Sequence, residues 1–295
     1  MWSVAHNTMS KTKCKICIVT GSNSGMGKET ALALADMGNT VVMAVRNRER
    51  GEKALAEVVN RTGNASTALM ICDLASVSSI RQFAKEFADS YGRLDVLINN
   101  AGAFFFGKRQ TTGDGFERTL AVNYLGPFLL THELLPLLKS NAPSRVINLT
   151  SGLYKSGELD FDDLQSEKSY DAMKAYRKAK LMVIMFTYEL ARRLQSTGVT
   201  VNVVQPGFVA TNLGRNSGSR LQSLLFGMVR PFQISAKKGA ETTVYLASSP
   251  EVEGVTGKCF SKLKEVSTTP ISYDEEKQRL LWDTTLKLSG LTSTV

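Results

Sequence analysis

Histidine is scarce in this chain: His6 and His132 are the only two among 295 residues. One lies in a polar lead-in and the other in a helical pattern, so neither has the partners that a serine-hydrolase triad or a metal-ligand set requires. Cysteine is nearly as thin, at positions 14, 17, 72 and 259. Cys14 and Cys17 form a C-x-x-C, which reads either as a zinc or redox pair or as reduced thiols on an apolar strand. With no second pair and no nearby histidine the thiol reading is preferred, and with it a cytoplasmic setting. No apolar run approaches the ~20 residues of a membrane-spanning helix, and the opening MWSVAHNTMSKTK lacks the apolar centre of a signal peptide. Residues 1–12 read as a loose lead-in, with Met9 as a second candidate start. The formal charge is +9, yet no run of five lysines or arginines occurs. A nucleic-acid partner is therefore not expected, and the excess suits an anionic cofactor or lipid surface better.

What is present is a regular alternation. Short β-branched runs at 15–20, 40–45, 66–74, 94–100, 145–151, 199–205 and 258–262 are separated by helical patterns near 25–37, 48–61, 76–90, 114–139, 170–196 and 237–248, with another at 274–288. Several runs are almost continuous in Val, Ile, Leu and Ala, as parallel strands buried on both faces should be. The pattern predicts an α/β fold with a parallel sheet and helices on both faces. Apolar residues make up 43% of the chain, enough for a sizeable core, and no linker divides it. Residues 13–295 read as a single domain with irregular stretches near 152–169 and 212–236.

The first strand runs directly into VTGSNSGMGKETALALA. Gly21, Gly25 and Gly27 make G-x-x-x-G-x-G, where glycine permits a tight turn and close backbone approach to a pyrophosphate at a helix N-terminus. An ordinary glycine-rich βα turn is the alternative. At the end of the second strand, where an NAD-binding chain places an acid for the ribose 2′-OH, the sequence reads VVMAVRNRERG. Val45 stands there, followed by Arg46 and Arg48. Absent carboxylate and present guanidinium favour a 2′-phosphate, hence NADP(H) over NAD(H), unless Arg46 is a solvated helix-start cation. Asp73 in ICDLAS either caps the helix starting near Ser76 or sits beside an adenine amino group, two compatible roles. LINNAG (97–102) ends strand four in small residues that let a ribose or nicotinamide lie against the strand end.

In AYRKAKLMVIMF, Tyr176 precedes Lys180 by one helical turn. Such pairs pack together in any helix. A fixed cation also favours a phenolate, which would pull the tyrosine pKa below its usual ~10.

Taken in order, TGSNSGMG, NNAG, Ser151, YRKAK and QPGFVAT resemble the short-chain dehydrogenase/reductase family across nearly the whole chain. TGSNSGMGKETA, MAVRNRERGEKAL and SPEVEGVTGKCF are most similar to its retinol-dehydrogenase-like branch. The resemblance implies a Rossmann-type doubly wound parallel sheet of about seven strands. It further implies a catalytic set of Asn123, Ser151, Tyr176 and Lys180, with Thr150 as the alternative hydroxyl should the register differ by one. Asn123 would hold a water and Lys180 in line, and Ser151 would orient the carbonyl. The implied cofactor contacts are Gly21, Asn23, Ser24, Gly25, Met26, Gly27, Arg46, Asp73, Leu74, Asn99, Ala101, Gly102, Tyr176, Lys180, Pro206, Gly207, Val209 and Thr211. No metal site is implied.

Substrate choice falls to AFFFGKR (103–109), the 152–169 loop and the 212–236 stretch. Phe104–Phe106 either wall an apolar pocket or pack in the core. RLQSLLFGMVRPF (220–232) reads as a substrate lid, a peripheral membrane contact or a subunit interface. The carboxylates of Glu158, Asp160, Asp162 and Asp163 read as solvated. The expected activity is hydride transfer between NADP(H) and a small apolar aldehyde, ketone or alcohol, retinoid-, steroid- or lipid-like. The rival is a catalytically silent dinucleotide-sensing protein. Pairing of two copies through the 170–196 helix, as in relatives, is a further expectation.

Overall fold

The computed structural model describes residues 14–207 and 234–291. Its strands are β1 (Ile16–Thr20), β2 (Thr40–Val45), β3 (Thr67–Ile71), β4 (Val96–Asn99), β5 (Ser144–Leu149), β6 (Val199–Val204), β7 (Cys259–Ser261) and β8 (Lys264–Glu265). They form one sheet in the order β3-β2-β1-β4-β5-β6-β7-β8. All pairs are parallel except β7 with β8.

Successive strand residues face opposite sides of a sheet, and the continuous apolar runs fill both. Cys17 and Val19 of β1 enter one core and Ile18 the other; Val96 and Ile98 of β4 divide from Leu97 in the same way. Helices α1 (Gly25–Asp36) and α2 (Arg48–Thr62) cover the first face. Helix α3 (Val77–Tyr91) covers the second. After β4 the chain runs through α4 (Arg118–Leu120), a π-turn at Ala121–Leu125 and α5 (Gly126–Ser140). Helix α6 (Ala172–Arg193) joins α3 and α5 on the second face, α7 (Ala236–Ser248) returns to the first, and α8 (Glu275–Ser289) closes over α6. Among the described residues no helix is long and apolar enough to cross a membrane.

Seven strands were expected and eight are found. The extra one follows a two-residue turn at Lys262–Leu263, both left-handed at φ 50° and 64°. Hairpin turns of that shape usually announce themselves by Asn-Gly or Asp-Gly; this one carries neither. Strand β3 ends at Ile71 rather than 74, so Cys72–Leu74 lie beyond it. All four cysteines are free thiols, with Cys17, Cys72 and Cys259 buried. The lead-in 1–12 and most of the proposed lid at 212–236 lie outside the described residues, as does all of 220–232.

Gly126 marks where α5 meets the C-terminal edge of the sheet. A Cβ there would lie 2.4 Å from the Leu74 carbonyl oxygen and 3.0 Å from that of Ala121. Backbone cannot yield as a side chain can, so Gly126→Ala should destabilise the fold by about 1–3 kcal/mol. Gly113→Ala, at an exposed glycine with nothing within 4 Å of the new methyl, should stay within about 0.5 kcal/mol of wild type. Urea midpoints of the two variants check this, and equal midpoints would contradict it.

Candidate active site

Because β1, β4, β5 and β6 are parallel, their C-terminal ends lie on one edge, and the strand order reverses between β1 and β4. Ligands of open α/β sheets bind at such a switch point. The glycine loop lies there. Gly21 is left-handed at φ 66°, and its N–H donates to the Ala44 carbonyl at 2.8 Å. A Cβ on Gly21 would come within 2.9 Å of Ala101 Cα, and one on Gly27 within 2.5 Å of the Gly21 carbonyl oxygen and 2.4 Å of Asn100 Nδ2. The loop is therefore packed against the end of β4 as closely as bare backbone allows. Asn100, absent from the expected set, makes that junction: its Nδ2 donates to the Thr20 carbonyl at 2.7 Å, while Thr20 Oγ1 accepts from the Ala101 N–H at 3.0 Å.

Two features of the loop fit an anionic dinucleotide. Ser24 is the N-cap of α1 but makes no capping bond with its side chain, and the first turn of that helix has no acid. The Ser22 hydroxyl is buried with no hydrogen-bond partner. Unsatisfied donors beside a helix N-terminus are what a pyrophosphate needs. Asn23 and Gly25 lie in the same turn, with Met26 partly buried against the α1 core. At the end of β2, Arg46 is exposed, and with Arg48, Leu69 and Ile71 it lines an open depression. The nearest acid in sequence, Glu49, is paired with Lys53 at 2.7 Å, and Glu86 of α3, whose carboxylate accepts from Gln82 at 2.6 Å, lines the same depression.

Asp73 does not cap α3. Ser76 does, accepting from the Ser79 N–H, while Asp73 Oδ1 accepts from the Ala75 N–H at 3.0 Å and closes the turn ahead of the helix. Leu74 is buried in the core. The Asn99 side chain also points inward: its Nδ2 donates to Thr131 Oγ1 at 2.9 Å and to Asn148 Oδ1 at 2.8 Å. Asn148 passes the bond on to Thr187 Oγ1 at 2.9 Å. This buried polar ladder fastens β4, β5, α5 and α6 to one another. The Asn99 Oδ1 is buried without a hydrogen-bond partner. Pro206 and Gly207 follow β6 on the same edge; Val209 and Thr211 lie outside the described residues.

The four candidate catalytic residues converge beside this loop. Asn123 sits in the π-turn, where its Nδ2 donates to the Ala103 and Thr119 carbonyls at 2.8 and 2.9 Å and its Oδ1 accepts from the Ala103 N–H at 3.1 Å. Its amide thus fixes the backbone just after Gly102. Gly102 itself leaves a gap, since a Cβ there would lie 3.0 Å from Asn123 Oδ1 and 3.1 Å from Lys180 Nζ. The register of the serine is clear from the partners. Thr150 Oγ1 donates to the Lys180 carbonyl at 2.7 Å and so belongs to the packing of α6, while the Ser151 hydroxyl lies near enough to the Tyr176 phenol to oppose the rise of its pKa. Phe104 is buried with its ring 5.3 Å from that of Tyr176, and Phe105 is covered by Arg118 at 4.2 Å. Phe104 thus walls the site, whereas Phe105 packs away from it.

The charges differ from expectation. A depressed tyrosine pKa was anticipated, but burial pushes the Tyr176 phenol up to about 12, with the Ser151 hydrogen bond opposing. Burial also lowers Lys180 to about 8. The lysine ammonium lies 5.7 Å from the centre of the tyrosine ring and donates to the Leu149 carbonyl at 3.2 Å. Loss of water around a phenolate outweighs an ammonium at that range. At neutral pH both groups hold their protons. Of the loop carboxylates, Glu158, Asp160 and Asp162 are exposed, whereas Asp163 is half-buried and caps the backbone N–H groups of Glu167 and Lys168. His132 packs on Phe128, and among the described residues no group of three or more potential metal ligands occurs.

Comparison with known proteins shows the family and the fold. The short chain dehydrogenase family model matches residues 15–222. Human retinol dehydrogenase 14 is 45% identical over 94% of this chain and 87% of its own length. Human retinol dehydrogenase 12 is 41% identical over 94% and 87% respectively. Among solved structures, an uncharacterised protein from Mycobacterium paratuberculosis superposes with a TM-score of 0.76 at 29% identity, covering 95% of both chains.

The two buried groups give a direct test. In a ¹³Cε-lysine NMR titration, the signal lost in Lys180→Met should titrate near pH 8, well below the usual ~10.4. A Lys180 midpoint above pH 10 would show that the ammonium is hydrated rather than enclosed.

Proposed function

The chain belongs to the short-chain dehydrogenase family, and on that premise we propose an NADP(H)-dependent oxidoreductase of apolar carbonyl compounds and alcohols, with Tyr176 as the proton donor and acceptor. The observation that carries this reading is the placement of the Tyr176 ring, with the Lys180 ammonium 5.7 Å from its centre, the Phe104 ring 5.3 Å from it and the Ser151 hydroxyl near its phenol, at the edge where the glycine loop sits. The nicotinamide supplies or accepts hydride when bound. The chain's own residues do the rest.

Backbone N–H groups of the glycine loop hold the pyrophosphate, and Arg46 holds the 2′-phosphate. Ala101, Gly102, Pro206 and Gly207 would border the nicotinamide half. Ser151 donates to the substrate oxygen as negative charge develops on it, where a preplaced donor is most effective. Tyr176, protonated at neutral pH, gives its proton to that oxygen in the reductive direction. Lys180 must carry charge to stabilise the phenolate left behind. Asn123 holds the Ala103 backbone, and so the start of the aromatic wall, in place. The wall and the retinol dehydrogenases among the relatives support an apolar, retinoid-like substrate. The four free thiols suit a reducing compartment such as the cytoplasm. A sensing protein without turnover would have no use for the serine–tyrosine contact.

With NADPH and a panel of apolar aldehydes, Tyr176→Phe should lower kcat by about 10²–10⁴-fold and leave NADPH binding, followed by tryptophan quenching, within about twofold. NADPH binding without turnover by the wild type would favour the sensing protein, and tighter NADH binding would remove the role of Arg46. The pH dependence has a definite sign. Lys180 is charged below about 8 and neutral above it, whereas Tyr176 stays protonated to about 12. Reductive kcat should therefore fall as pH rises through about 8, limited by the lysine. A profile flat to pH 10 would contradict this assignment.

A further inference from the structure

Lys178 lies two residues past Tyr176 on α6, about 200° around the helix from both Tyr176 and Lys180, and has no part in the proton transfer. It is nonetheless buried. Burial lowers its pKa, against the pull of the Asp163 and Glu117 carboxylates. An ammonium removed from water is costly unless acceptors hold it. Lys178 Nζ donates to the Asp163 carbonyl at 3.0 Å and to Ser166 Oγ at 2.8 Å. Both acceptors belong to the loop between β5 and α6. Ser166 is left-handed at φ 51°, a conformation that a non-glycine residue adopts only under restraint.

That loop is tied in turn to the segment after β4. The Gln165 carbonyl accepts from Arg109 Nε at 3.0 Å, and Gln165 Oε1 accepts from the Glu117 N–H at 3.1 Å. Arg109 lies three residues beyond Phe106, whose ring is 4.4 Å from that of Phe104. Phe104 is the ring against Tyr176. Hydrogen bonds therefore run from the Lys178 ammonium through residues 163–166 to Arg109, and three residues of backbone join Arg109 to the aromatic wall beside the phenol.

We propose that Lys178 is a positioning residue: it clasps the β5–α6 loop and, through Gln165 and Arg109, fixes the Phe104–Phe106 wall so that the cleft retains long or bulky apolar carbonyl compounds. The inference rests on the carbonyl-reducing reading of the site and names what sets its substrate range. A short aldehyde needs only Ser151, Tyr176 and Lys180, and does not depend on the wall. A long one does, so the clasp acts on binding rather than on the chemical step.

Lys178→Met keeps the length of the side chain and removes the ammonium. With the full chain, NADPH and straight-chain aldehydes from butanal to dodecanal, KM for the long members should rise about tenfold. The kcat for butanal and the Kd for NADPH should stay within about twofold of wild type. Ser166→Ala, which removes one acceptor only, should shift KM for the long members in the same direction by less. It also keeps the test open if Lys178→Met does not fold. Equal shifts for short and long aldehydes, no shift in either variant, or a loss confined to kcat would each overturn the positioning role. Wild-type protein that binds NADPH but reduces no aldehyde would overturn the reading of the reaction and the inference with it. That failure shows before any substitution is made.

Discussion

The close approach of the β1 glycine loop to the end of β4 is the constraint on which the site depends. Thr20 accepts from the Asn100 side chain with its carbonyl and from the Ala101 N–H with its hydroxyl across the switch point, and Gly21 and Gly27 leave no room for a Cβ between the loop and residues 100–101. Loosening that junction would move two things together: the backbone N–H groups of the glycine loop, and the start of the segment that carries Gly102 and Phe104. The glycine loop and the segment after β4 are separate stretches of backbone packed into one junction, so neither can be repositioned alone.

The second fastening is polar and hidden. The Asn99 amide donates to Thr131 and Asn148, and the Asn148 amide to Thr187, inside an otherwise apolar core. A buried amide deprived of its partner costs about 1–3 kcal/mol, so the ladder resists any slip of α6 along β5. Thr150 adds a further pin to the Lys180 carbonyl. The same burial that makes these bonds effective sets the proton inventory of the site, since it favours the neutral form of both Tyr176 and Lys180.

Much of this was legible in the sequence. Apolar runs gave the parallel strands within a few residues, and the helical patterns placed most helix starts within a few residues too. The glycine loop, the small residues after β4 and the Tyr176–Lys180 spacing all reached one edge of the sheet. The misses share a cause: they depend on partners distant in the chain. Nothing near Tyr176 in sequence tells how far its ring is enclosed, so the direction of its pKa shift was misjudged. The hairpin at Lys262–Leu263 carries no turn signature. Asp73 looked like a cap because an acid before a helix often is one, but Ser76 occupies that position. The two amides of LINNAG looked alike, and only strand alternation, one facing the core and its neighbour the glycine loop, separates their roles.

Helix α6 shows how the catalytic spacing is made possible by residues outside it. At about 100° per residue, Tyr176, Lys180 and Thr187 fall within about 60° of one another, and the latter two bond to β5 through Leu149 and Asn148. Lys178 and Glu189 fall within about 20° of each other on the opposite side. Glu189 is buried there, taking Arg193 Nε at 2.6 Å and pairing also with Arg192, while Arg193 covers Trp282 of α8 at 4.5 Å. One side of the helix is thus held to the sheet and the other to the β5–α6 loop and α8. A helix secured on only one side could rotate by a few degrees and carry the phenol out of line with the serine. Buried charges on the outer side are costly to install, yet removing one partner of such a pair typically costs about 3–5 kcal/mol, which makes them firm locks. The charged residues of α6 that take no part in proton transfer are therefore what hold its chemistry in register.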